Sequence, residues 1–248
     1  MNPIQKASYR ILKGQKKSVY LKYLTGRFPC LSTGRIRQIC YSFLVNALSD
    51  KQVFTLVYEQ NLWNDPESVS GPGSTFEITK NIRASLPELF KTYHIKSMLD
   101  IPCGDFNWMQ FVEMNGIEYI GADIVEELIE KNHRQFATER RSFRMLDLVK
   151  DPLPKVDLVL CRDGLVHLSD KQIKQALKNI KKSGSTYLLA TNFTEKEFNM
   201  KIGTTRWRPL NFGISPFNFP KPFMIIRENV EVESFRDKSL CLWAIKDL

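Results

Sequence analysis

From about residue 97 the chain alternates short apolar runs with amphipathic stretches. The apolar runs fall at 97–101, 119–124, 143–148, 156–161 and 186–190. Each has the length of a strand and is too short for a helix of the usual size. Between them, helical patterns are predicted over 108–115, 125–137 and 170–181. The last has a clear start. Ser169 and Gln172 stand at the spacing of a capping box, and Ile173, Leu177 and Ile180 line one face. Strands alternating with helices predict βαβ units and a mostly parallel sheet. After residue 190 the rhythm changes. Runs at 223–226 and 240–245 have no helical pattern between them, which predicts an antiparallel C-terminal hairpin at a sheet edge. The pattern as a whole is that of an α/β domain.

Upstream, residues 64–75 are dense in Asn, Asp, Pro, Gly and Ser and read as a loop. A helix is predicted over 76–93, with Ser74 or Thr75 as its cap, Glu77 in its first turn, and Ile82, Leu86, Leu89 and Phe90 as its stripe. Pro87 predicts a break or kink within it. Residues 4–24 mix apolar and basic positions and are read as short helices. The connection over 192–223 is too long for a simple link, and loops of that length often form lids or binding surfaces.

Charge divides the chain near Ser49. Residues 1–49 carry Lys6, Arg10, Lys13, Lys16, Lys17, Lys22, Arg27, Arg35 and Arg37, and no Asp or Glu. Without those nine, the 36 basic residues fall to 27 and match the 27 acidic ones. The chain is therefore read as a basic N-terminal segment, 1–49, followed by one domain, 50–248. The segment suits nucleic-acid phosphates or an anionic membrane surface, and reads equally as a targeting peptide or a solvated arm. No apolar run approaches the roughly 18 residues of a membrane span. Five widely spaced cysteines, without a C-x-x-C pair, fit the reduced thiols of a cytoplasmic protein, and Cys161 and Cys241 sit in core-like runs. With only three histidines, no metal site is expected.

Candidate chemistry gathers where the predicted strands end, the place where open parallel sheets bind ligands. Those ends read Asp100 to Gly104, then Asp123, Asp147, and Arg162 with Asp163. Gly104 allows close backbone approach to a ligand. Asp123 lies 23 residues beyond Asp100, near the spacing of an acid that grips ribose hydroxyls. Asp147 can accept from an adenine amine. A lone acid after a strand reads equally as a turn former, so the joint placement carries the argument.

On these residues the chain resembles class I S-adenosylmethionine-dependent methyltransferases. The segment from Asp100 to Gly104 is similar to the family's glycine-rich first motif, with Pro102 and Phe106 where two glycines are usual. The resemblance implies a Rossmann-like fold with a seven-stranded, mostly parallel sheet, and S-adenosylmethionine as cofactor. It implies cofactor contacts from Asp100, Pro102 and Gly104, from Asp123 and Ile124, from Asp147 and Leu148, and from Arg162. Ser74 and Thr75 fit the family's N-terminal cofactor cover, so the cofactor half spans about 75–191 and the acceptor loop and hairpin 192–248. His167 and Asp163 are the candidate general bases for a hydroxyl acceptor. Trp207, Arg208 and Phe217 are candidate acceptor contacts, and Tyr58, Trp63 and Arg83 can reach the same mouth; Arg206 or Arg208 would hold an anionic group. His167 and the loop's aromatics read also as simple packing residues.

The reading that results is O-methylation of a sugar, glycan or other hydroxylated small molecule, in the cytoplasm or at a membrane surface. One alternative is a degenerate methyltransferase fold that binds nucleic acid or membrane through residues 1–49. Another is an NAD(P)-dependent oxidoreductase. It wants G-x-G-x-x-G after the first strand, where this chain has Pro-Cys-Gly-Asp-Phe-Asn.

Overall fold

The computed structural model describes residues 47–201 and 207–248. The helices expected within 4–24, the basic side chains of the N-terminal segment, Cys30, Cys40 and Arg206 lie outside these residues. Helix α1 (Asp50–Glu59) opens on a capping box between Ser49 and Gln52. A 3-10 turn (Pro72–Ser74) and helix α2 (Lys80–Thr92) follow. Then come β1 (Ser97–Asp100), β2 (Glu118–Asp123), α3 (Glu126–Phe136), β3 (Arg141–Met145) and β4 (Leu158–Cys161). Helix α4 (Asp170–Lys182), β5 (Tyr187–Phe193), β6 (Met224–Arg227) and β7 (Lys238–Ala244) complete the order. Among the described residues no helix is long and apolar enough to cross a membrane.

The seven strands form one sheet in the order β3-β2-β1-β4-β5-β7-β6. Strands β1 to β5 pair in parallel, and β7 runs antiparallel to both β5 and β6. This is the mostly parallel α/β sheet that the alternating pattern implied and the Rossmann-like architecture that the resemblance implied. Successive side chains alternate between the two faces and build two cores. Leu99, Val159, Leu188 and Trp243 pack with Ile173, Ala176 and Ile180 of α4. Met98, Leu158, Leu189 and Leu242 pack with Ile82, Leu86 and Leu89 of α2. Strands β4 and β7 are buried along their whole length, as expected of strands covered on both faces.

Two predicted helices differ from the observed elements. Over 108–115 only one 3-10 turn forms, Met109–Phe111. The helix predicted from residue 76 begins at Lys80, with Thr79 at the N-cap position, so neither Ser74 nor Thr75 caps it. The Thr79 hydroxyl donates to the Thr75 carbonyl at 2.8 Å instead, closing a turn ahead of the helix. Pro87 sits inside α2 without ending it. Buried Ile82 and Leu86 on one side of Pro87, and Leu89 and Phe90 on the other, hold both halves against the sheet.

The 192–223 connection is pinned by Arg208, which is fully buried. Its guanidinium pairs with Asp170 at 2.6 Å and donates to the carbonyls of Leu168 and Met200. Asp170 is the first residue of α4, so the loop is tied to that helix's start. The Ser169–Gln172 capping box is present there, and the Gln172 amide donates onward to Asp50 at 2.7 Å. Arg208→Ala is expected to lower unfolding free energy by about 3 kcal/mol or more, because a buried pair loses one partner. Ser169→Ala is expected to remove only about 1 kcal/mol. Urea unfolding of the two variants beside the wild type measures both.

Candidate active site

The sheet order reverses between β1 and β4, and a cavity of about 670 Å³ opens at the carboxyl ends of the strands there. Its volume is that of a site for a cofactor-sized ligand. On its first side lie Asp100 at the end of β1 and Asp123 at the end of β2, both buried. The Asp123 carboxylate accepts from the Val125 amide at 3.0 Å and the Gly104 amide at 3.3 Å. Burial pushes this carboxyl up to about 6, against the lowering effect of those amides. Burial likewise pushes Asp100 up to about 7, although the Tyr119 hydroxyl donates to it at 2.7 Å and the Arg162 charge favours its ionised form. Asp147 and Leu148, beyond the end of β3, complete this side. One Asp147 oxygen accepts from the Val149 amide at 2.9 Å and the other from Lys150 at 3.0 Å.

The turn after β1 is shaped to meet a second segment. Gly104 has φ +55°, and a Cβ there would collide with the Ser70 hydroxyl. Asp105 grips the 68–70 stretch: its carboxylate accepts from the Ser68 and Ser70 hydroxyls and from the Val69 amide, all at 2.9–3.0 Å. Asn107 donates to the Ser74 carbonyl at 3.0 Å and to Glu67 at 2.7 Å. The loop over 64–75 is thereby held across the cavity mouth. Phe106 takes a left-handed φ of 59°, and its ring is buried against Tyr119, Phe136 and Phe143.

Past β4 the chain places four charges together. Arg162 makes a two-pronged contact with Glu228, at 3.2 and 2.7 Å, and donates to the Gly73 carbonyl at 2.7 Å. Lys238 reaches Asp163 at 2.6 Å and Glu228 at 3.3 Å. Asp163, with φ 55°, also accepts from the Thr191 hydroxyl at 3.2 Å. Burial acts to raise the Asp163 carboxyl, but Lys238 and Arg162 outweigh it and hold it well below the ordinary carboxylate range. Arg162 also lies over the Trp108 ring, 5.5 Å from its centroid.

The remaining wall is aromatic. His167 contacts Trp63 at 5.4 Å and Phe54 at 6.0 Å between ring centroids. Trp207 meets Phe235 edge-on at 5.2 Å. All five line the cavity, with Tyr58, Val230 and Val232 nearby on its surface. Among the described residues, no group of His, Cys, Asp or Glu is arranged to hold a metal ion.

Residues 99–183 match a protein family described as a methyltransferase domain. The fold is shared with solved methyltransferases. Human N-acetylserotonin methyltransferase, crystallised in complex with S-adenosylmethionine, superposes with a TM-score of 0.54 at 15% identity, over 80% of this chain and 60% of that one. Magnesium protoporphyrin IX methyltransferase from Synechocystis, with bound S-adenosylmethionine, gives 0.53 at 13% identity, over 79% of this chain and 97% of that one. The chain has the fold of these methyltransferases. It spans 60% of the human enzyme's length, and at these identities the likeness is one of fold. No curated protein matches the chain by sequence.

The structure brings most of the predicted site residues to one cavity. Asp100, Pro102, Gly104, Asp123 and Ile124 line it, as do Asp147, Leu148, Arg162, Asp163 and His167. Ser74, Tyr58, Trp63 and Trp207 also reach it. Four of the predicted residues stand elsewhere. Arg208 is spent on Asp170 and backbone carbonyls, away from the cavity. Phe217 packs on Phe212 beside α4. Thr75 is not on the cavity wall, and its hydroxyl donates to the Pro72 carbonyl at 3.0 Å. Arg83 lies over the Phe76 ring at 3.4 Å. Conversely, Phe54, Trp108, Phe235 and Lys238 line the cavity without having stood out in the sequence, and Asp105, Asn107 and Glu228 brace it. Only Asp105 and Asn107, next to the glycine turn, carried a sequence signal.

The buried acids set a pH dependence. An Asp100 carboxyl near 3.8 when unfolded and about 7 when folded binds more protons in the native state between those values. Its burial is therefore tolerated at acid pH, and stability is lost as pH rises through 7. Asp100→Asn is expected to raise unfolding free energy at pH 8, on the order of 2 kcal/mol, with the gain fading as pH falls toward 4. Thermal unfolding across that range, without ligand, checks it.

Proposed function

We propose that this protein is an S-adenosylmethionine-dependent methyltransferase that transfers the methyl group to a hydroxyl of a small molecule. The observation that carries this reading is the cradle on the first side of the cavity. The Gly104 turn, held open against Ser70, and the buried Asp123 carboxylate stand together at the strand-order switch. These residues fit a nucleoside: the glycine permits close backbone approach, and the carboxylate can accept from two ribose hydroxyls. Asp147 and Leu148 line the same cavity, and we assign them to the adenine.

When bound, the cofactor supplies an electrophilic methyl group on a sulfonium. The chain's task is then alignment and one proton transfer. His167, on the aromatic wall, takes the proton of the acceptor hydroxyl on an imidazole nitrogen. Asp163 is a positioning residue. Held ionised by Lys238 and Arg162, it is a weak base, but it fixes the turn that leads to His167.

Calorimetric titration with S-adenosylhomocysteine, beside NAD, tests the cofactor. Binding of the former alone is expected, weakened about 10- to 100-fold in Asp123→Ala through lost charge-assisted hydrogen bonds. Because the ionised carboxylate is the acceptor and burial holds it up to about 6, affinity should fall as pH drops below that value. If a folded protein binds no S-adenosylhomocysteine, the reading fails. For the base, His167→Ala should cut turnover on a hydroxyl acceptor by about 10²-fold or more and leave S-adenosylhomocysteine affinity nearly unchanged. Turnover close to wild type would remove His167 from that role.

A further inference from the structure

The sheet order divides the cavity. The ends of β1, β2 and β3 form the nucleoside side, and the ends of β4 and β6 with the start of β7 form the other. If the first holds the cofactor, the second holds the acceptor, and its chemistry can be read directly.

Its charges cancel. Arg162 and Lys238 are the only Lys or Arg on the cavity wall among the described residues. Both are committed to Asp163 and Glu228 at 2.6–3.5 Å, two cations against two carboxylates. Arg162 spends a further donor on the Gly73 carbonyl. An anionic acceptor would have to break one of these pairs and strand a buried carboxylate, which is costly.

Among the described residues, what remains of this side is mostly aromatic and apolar. Trp207 and Phe235 present one aromatic pair, and His167 with Trp63 and Phe54 presents another group. Ser234 is the one hydroxyl that the hairpin loop adds to the wall. A sugar carries several hydroxyls, and each left unpaired on burial costs about 1–3 kcal/mol. A planar apolar body meets no such cost and gains ring contacts of the kind these side chains favour.

We propose that the acceptor is an uncharged molecule with an aromatic or similarly flat apolar body bearing a single hydroxyl, seated between the Trp207–Phe235 pair and His167. The proposal rests on the methyltransferase reading above and narrows the hydroxylated acceptor away from the sugars and glycans that the sequence favoured.

Three probes separate the possibilities on protein saturated with S-adenosylhomocysteine: 2-naphthol, naphthalene-2-sulfonate and methyl β-glucoside. Calorimetry and quenching of tryptophan fluorescence read binding. The expected result is that 2-naphthol binds at least tenfold more tightly than either of the others. Phe235→Ala should weaken it about tenfold, Phe235→Tyr should restore most of the loss, and both should keep S-adenosylhomocysteine affinity within about twofold. Equal or tighter binding of the glucoside or the sulfonate would overturn the proposal. So would absence of 2-naphthol binding up to about 1 mM by protein that binds S-adenosylhomocysteine. Failure to bind S-adenosylhomocysteine would instead overturn the methyltransferase reading itself.

Discussion

The site depends on one buried interaction, the two-pronged contact between Arg162 and Glu228. Arg162 follows β4 and Glu228 follows β6, 66 residues later in the chain. The same guanidinium holds the Gly73 carbonyl, so one side chain joins the parallel half of the sheet, the C-terminal hairpin and the loop over the cavity mouth. Lys238 and Asp163 close the group and leave it neutral. Such a network is weak evidence for stability, because desolvation offsets much of the attraction. Its effect is geometric. Losing any member leaves a charge buried without its counterpart, so the three segments are held to one arrangement.

The turn after β1 works by a related constraint. Its backbone must bend sharply enough to open a cradle, and both Gly104 and Phe106 adopt left-handed φ values. For a phenylalanine that conformation is strained. Burial of the ring among Tyr119, Phe136 and Phe143 compensates for it. A position where related frames carry glycine is here a core residue, and the turn is anchored from beneath by packing and from above by Asp105. The cradle can therefore be rigid before any ligand arrives, which lowers the entropy lost on binding.

Electrostatics separate the two sides of the cavity. Asp100 and Asp123 are raised chiefly by burial, whereas Asp163, less enclosed, is driven the other way by two adjacent cations. Carboxylates of one type thus serve different ends within one cavity. Asp123 can accept from polar hydroxyls, and Asp163 neutralises the floor beneath an apolar chamber.

Read alone, the chain determined the order of its strands along the sequence, the helices α2 to α4 among them, the edge hairpin, the capping box at Ser169 and the acids at the strand ends, but not α1. These are encoded locally, in the period of apolar positions and in the residues that punctuate them. The same local logic failed where a tertiary contact competes with it. Pro87 remains within a helix because burial on both sides holds it, and Arg208 looks like a ligand contact until Asp170 is found beside it. The division of the 192–223 aromatics, with Trp207 on the cavity and Phe217 packed near α4, also had no local signature. Lys238 and Glu228 became part of the site only when strand order carried the hairpin beside β5. Pattern specifies which elements form; which charges meet across them is decided by packing between segments remote in sequence.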